Sequence, residues 1–115
     1  EIEDVAIPIF DRMVKLLASK PWTLFVEGHA SKGEESVDGS KDAFLLSSLR
    51  AAVVSRSIIR RGVPANKITT VFYGDSRLIK LSDRPEIENQ KASRRVEFIL
   101  RKTDLRTEGH KVDAQ

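Results

Sequence analysis

The sequence predicts an α/β domain in which two main helices pack on one face of a small mixed sheet. Three observations carry this reading. The apolar period changes from three-to-four to two and back along the chain, turn residues separate the periodic segments, and the elements follow the order α-β-α-β-(α)-β. The 115 residues suit one domain. A chain of that size buries roughly two thirds of the surface it exposes when unfolded, enough for an ordinary core.

Ile2, Val5, Ala6, Ile9, Phe10, Met13, Val14, Leu16 and Leu17 recur at helical spacing and predict a helix over 2–19. Pro8 falls inside this pattern, as a kink or as a mark of the true first turn. After Lys20-Pro21, Leu24 and Val26 alternate with Thr23, Phe25 and Glu27, a strand over 23–29. Residues 30–42 hold two glycines, three serines and four acids, and read as a solvated loop whose Gly33 and Gly39 favour mobility. Asp42 is placed to cap a helix over 43–61 that ends in Arg60-Arg61-Gly62. Leu46 and Leu49 are expected to share one core with Val96 and Phe98. Ile68 to Gly74 is rich in β-branched and aromatic residues and forms the second strand. Ile87 to Ser93 suggests a short helix, and 94–101 alternates as a third strand. The domain is expected to span 1–102, with 103–115 a polar C-terminal tail that has little to bury.

Composition narrows the chemistry. There is no cysteine, and His29 and His110 stand far apart, so no local spacing supports a metal site and no cofactor is expected. Twenty basic against 17 acidic residues leave a net charge of +3, which does not call for nucleic acid, and neither a Gly-x-x-Gly loop nor a suitable aromatic cluster supports an RNA-binding module. No apolar run approaches the roughly 20 residues of a membrane span. Ser31, Ser47, Ser48, Ser55 and Ser57 stand in no nucleophile motif, so a non-catalytic protein is expected. The start at Glu1, without methionine or a signal-like stretch, suits a fragment or a mature form.

Arg50 is the residue that stands out. Its neighbours at three and four positions include no acid, so the usual ion pair along a helix is missing. Its partner comes from elsewhere in the fold, from a ligand, or from water. Arg94 and Arg95 open the last strand, and Arg94 shares the phase of Val96 and Phe98 on the core-facing side. There it serves either a semi-buried ion pair or a planar clamp for a carboxylate.

Val26-Glu27-Gly28-His29, Leu46-Ser47-x-x-Arg50-Ala51-x-x-Val54, Gly62-Val63-Pro64 with Ile68 and Tyr73-Gly74, and Arg94-Arg95-Val96-Glu97 resemble, in order, the motifs of the OmpA-like peptidoglycan-binding domain. The resemblance covers residues 2 to about 101. That family includes the C-terminal domains of outer-membrane porins, peptidoglycan-associated lipoproteins and stator B subunits such as MotB. It implies an OmpA-like fold on the periplasmic side of a bacterial envelope, anchoring a membrane protein to the wall through a segment outside this chain. It also implies a site in which an aspartate two positions after the histidine, with the helix arginine, holds the zwitterionic diaminopimelate of the wall's stem peptide. The arginine carries over as Arg50. The aspartate is Ser31 here, the loop from Lys32 to Leu45 is longer than usual, and Ser93 replaces an asparagine. The resemblance further implies a strand ahead of the first helix; this chain starts at or just before that helix, so either the strand was cut away with an upstream membrane anchor or the sheet is one strand short.

The ligand-binding residues expected are therefore Arg50, Ser31, Leu46, Arg94, Arg95 and Asp42. Glu34, Glu35, Asp38 and Asp42 are the acids available to replace the missing aspartate. The alternative is a divergent domain that has given up the wall and serves as a protein-interaction module, a homodimer included.

Overall fold

A computed structural model describes residues 7–102. The part of the expected first helix before Ile7 and the expected tail over 103–115 lie outside the described residues. Within them the order is α1 (Ile7–Ser19), β1 (Trp22–Gly28), α2 (Ala43–Arg60), β2 (Ile68–Phe72), α3 (Glu86–Ser93) and β3 (Val96–Lys102). β1 is the central strand. It pairs in parallel with β2, Leu24 opposite Ile68 and Gly28 opposite Phe72, and antiparallel with β3, Trp22 opposite Lys102 and Glu27 opposite Glu97.

The inward face of β1 presents Leu24 and Val26, which meet Met13 and Leu17 of α1 and Ala51 and Ile58 of α2. Burying a side chain such as Leu17, Leu24 or Ile58, none of which reaches solvent, contributes about 1.5–3 kcal/mol each. Val96, Phe98 and Leu100 of β3 pack against this cluster at its margin.

Both ends of α2 follow the local sequence. Asp42 Oδ1 accepts the Leu45 amide at 3.0 Å, an N-cap. At the other end the Gly62 amide donates to Ile59 O and the Val63 amide to Ile58 O, with Gly62 at φ +110°, the left-handed closure that glycine permits.

The face of α2 is not the one its leucines suggest. Ala43, Ser47, Ala51, Ser55 and Ile58 turn inward, while Leu49 is 40% exposed, Leu45 is exposed and Leu46 only half-buried. The expected core of Leu46 and Leu49 with Val96 and Phe98 is thus corrected. The reason is a close approach: a Cβ on Gly28 would lie 2.0 Å from the Ser47 carbonyl oxygen and 3.0 Å from Ala51 Cβ. Only small residues fit where a helix lies directly on strand backbone, and the leucines are displaced to the flank. Two hydroxyls are absorbed in the same seam. Ser47 Oγ accepts the Gly74 amide at 2.9 Å and donates to Phe44 O, and Ser55 Oγ lies 2.7 Å from Thr70 Oγ1.

The strand expected over 94–101 begins two residues later, at Val96. Arg94 therefore stands on the bend after α3, not on the core face of a strand, and its side chain is 46% exposed. Keeping the guanidinium at the surface avoids the cost of burying a charge.

Candidate functional site

The loop between β1 and α2 is tied down, in contrast to the mobile loop expected. Ala30 donates to Gly74 O, the Gly33 amide donates to Asp75 Oδ2, and the Ser36 amide to Lys41 O, each at 2.9 Å. At the loop's start, Ser31 and Glu34 hold one another. The Glu34 amide donates to Ser31 O, and the Ser31 amide donates to Glu34 Oε1, both at 3.0 Å. The backbone bond closes a turn, and the Glu34 carboxylate reaches back to the Ser31 amide as the glutamate of a capping box does, across the Ser31-x-x-Glu34 spacing.

That turn delivers the Glu34 carboxylate to Arg50. Nη1 of Arg50 donates to Glu34 Oε1 at 2.9 Å, Nη2 donates to Oε2, and Nη1 also reaches the His29 carbonyl oxygen at 3.1 Å. The bidentate geometry is the strong form of a guanidinium–carboxylate pair. From the other side Arg94 Nε donates to Ser31 Oγ at 3.0 Å and lies 3.7 Å from Glu34 Oε2. The hydrogen bond from Arg50 holds the Glu34 carboxyl below its ordinary range, against the opposing effect of burial, with the Ser31 amide and the charges of Arg50 and Arg94 adding to it.

Ser31, Arg50 and Arg94 thus come together around Glu34, whose side chain is only 7% exposed. The remaining candidates sit apart from this cluster or beside it. Asp42 caps α2, and Leu46 lies half-buried one turn before Arg50. Arg95 turns to Glu97, with Nε donating to Oε2 at 2.5 Å, and its other nitrogens reach Ser93 O and Arg77 O. Of the other loop acids, Glu35 is exposed. Asp38 accepts from Ser36 Oγ, Ser40 N and Ser40 Oγ, and these bonds lower its carboxyl to about 2. The sequence offered four acids without ranking them. The Ser-x-x-Glu spacing was the signal that singles out Glu34.

One carboxylate against two guanidiniums leaves this cluster with a surplus positive charge. Arg50 has spent two nitrogens inside it, whereas Arg94 keeps an exposed edge. Chemically, an exposed guanidinium edge beside a fixed carboxylate can hydrogen-bond an anionic group.

The sequence matches the OmpA family over residues 1–94. Among solved structures, the fold is similar to the C-terminal domain of Helicobacter pylori MotB, at 23% identity and a TM-score of 0.70, covering 95% of this chain and 81% of that one. It is similar to the periplasmic domain of the same protein, at 22% identity and a TM-score of 0.71, covering 94% and 69%. It is also similar to the peptidoglycan-associated lipoprotein from Burkholderia pseudomallei, at 19% identity and a TM-score of 0.69, covering 88% and 81%. No curated protein gives a significant match.

Proposed function

This chain belongs to the OmpA family, and from that premise we propose that it is a non-catalytic wall-binding module, acting on the periplasmic side of a bacterial envelope and tethering a membrane protein such as a stator B subunit to peptidoglycan. The observation that carries the reading is the Glu34 carboxylate bound bidentately to Arg50 within the Ser31 turn. Where the family resemblance implies an aspartate at position 31, this chain keeps a carboxylate beside the arginine by reaching from three residues further on. Arg94 then offers the outward guanidinium for the carboxylate of a zwitterionic stem-peptide residue, while Glu34 supplies the negative charge that its ammonium requires. Contacts of this kind weaken as salt screens them.

Retention on purified, insoluble cell-wall sacculi tests this directly. The wild-type chain should be retained, Arg94→Ala and Glu34→Gln should each lose about ten- to a hundredfold, as the loss of one charge-assisted bond implies, and Ser31→Asp should gain little. No retention of the wild type, with retention created by Ser31→Asp, would overturn the proposal.

That outcome would favour the second reading, an interaction or dimerisation module. Its support is an exposed apolar group at the start of α2, where Phe44, 60% exposed, stacks edge-on against Phe72 with centroids 4.9 Å apart.

A further inference from the structure

The outward face of the sheet holds a second cluster that the wall site does not use. Glu27 lies near the end of β1 and His29 one residue beyond that end, and the antiparallel register sets Glu97 of β3 directly opposite Glu27. Like charges directly opposite across a strand pair repel. Glu97 is neutralised by Arg95, but nearly buried Glu27 has only the His29 ring as a described ionic neighbour, with Nε2 3.9 Å from Oε1, too long for a hydrogen bond.

His29 is itself anomalous. It is 1% exposed, its ring stacks on Tyr73 at 5.3 Å between centroids, and Arg77 covers the Tyr73 ring at 3.8 Å. Neither ring nitrogen meets a hydrogen-bond partner among the described residues. Buried polar atoms in that state are uncommon and costly, and call for an explanation. Burial first, then the charge of Arg95, lowers the pKa of this imidazole, against the opposing charges of Glu97 and Glu27.

We propose that Glu27, His29 and Glu97 form a binding site for a divalent cation of the zinc class. The three ligand atoms, one from each side chain, lie within 4.8 Å of one another. Ligands about 2.0–2.2 Å from one zinc ion stand roughly 3–4 Å apart, so separations of up to 4.8 Å have to shorten by about 1–2 Å, a movement open to the exposed Glu97 side chain if it leaves Arg95. One imidazole and two carboxylates are a donor set that zinc accepts, with a remaining position open to water. The ion would balance the opposed carboxylates, give the His29 ring its partner and join β1 to β3. Because the His29 carbonyl also accepts from Arg50, it would steady the strand end that supports the wall site. The sequence offered no sign of this site, since Glu97 reaches it only through strand register.

Cobalt(II) titration of the 115-residue chain, read by visible absorption with zinc as competitor, tests the proposal. One equivalent should bind, zinc should displace it, and zinc should shift the His29 ring nitrogens in NMR spectra. Glu97→Gln and Glu27→Gln should each weaken binding about tenfold or more, and His110→Ala should leave it unchanged. Because Glu97 is exposed, its variant is expected to keep the fold. Absence of binding, binding indifferent to both glutamate variants, or binding that vanishes with His110→Ala would overturn it.

Discussion

Replacing Gly28 with alanine probes how closely helix and sheet must meet to hold the Arg50 site. The added Cβ would stand 2.0 Å from the Ser47 carbonyl oxygen, where ordinary contact begins near 3.4 Å, so α2 must retreat by about 1.4 Å. The obstructing atom belongs to helix backbone, and no change of rotamer relieves it. Overpacking of this kind costs about 1–3 kcal/mol, and more where backbone has to move. The retreat also stretches the bond from Gly74 to Ser47 Oγ, contributing about 1 kcal/mol more. A loss of about 3–4 kcal/mol is therefore expected, a large share of the roughly 5–15 kcal/mol that stabilises a domain. Urea unfolding followed by Trp22 fluorescence should show the midpoint falling by about 2 M for a slope near 1.5 kcal/mol/M. Ala51→Gly, which removes only the 3.0 Å contact, should fail to rescue it. A loss below about 1 kcal/mol would refute the account of why α2 presents small residues to the sheet.

Three further outcomes follow from the same contacts. Asp42→Ala should cost about 1 kcal/mol in urea unfolding through loss of the helix cap, and unchanged sacculus retention would separate that role from the proposed wall site. Ser47→Ala leaves the buried Gly74 amide without its acceptor and should cost about 1–3 kcal/mol, measured the same way. Because Glu34 has a lowered pKa in the fold, the stability it contributes is complete above the unfolded glutamate value of about 4.3 and is lost as pH falls through the lowered value. The stability difference between wild type and Glu34→Gln should accordingly stay constant from pH 7 to about 5 and shrink only in more acid solution; a difference that disappears already at pH 6 would refute the Arg50 contact as its source.

The elements were legible because their signals are local. Alternation gave β1 and β3, and β-branched and aromatic content gave β2, to within two residues at either end, and Asp42 with Gly62 bracketed α2. Its orientation was not legible, because periodicity weights large apolar residues, and here a glycine on another element favours alanine and serine at the seam. Arg94 was assigned to a strand that starts two residues later, after the bend that ends α3. At the site, the missing helical partner of Arg50 left the fold, a ligand and water open, and the fold supplies Glu34. The choice among four acids depended on a turn whose spacing is visible but whose direction is not. Glu97 beside His29 depends wholly on pairing between strands some seventy residues apart, which no short-range pattern encodes.

The cluster around Glu34 is also divided in sequence in a way that bears on how the chain folds. Ser31, Glu34 and Arg50 lie within 20 residues, on the loop and helix that follow β1, whereas Arg94 arrives on the bend between α3 and β3. Closing a short loop is entropically cheaper than closing a long one, and contacts between distant residues form more slowly. A chain that has assembled only β1, α2 and β2 can hold the bond between Glu34 and Arg50 yet lacks its outward guanidinium. On the proposed function, the outward guanidinium is in place only when the segment from α3 to β3 docks, so that a nascent or partly unfolded molecule holds the ion pair closed within itself and lacks the group proposed to meet the wall.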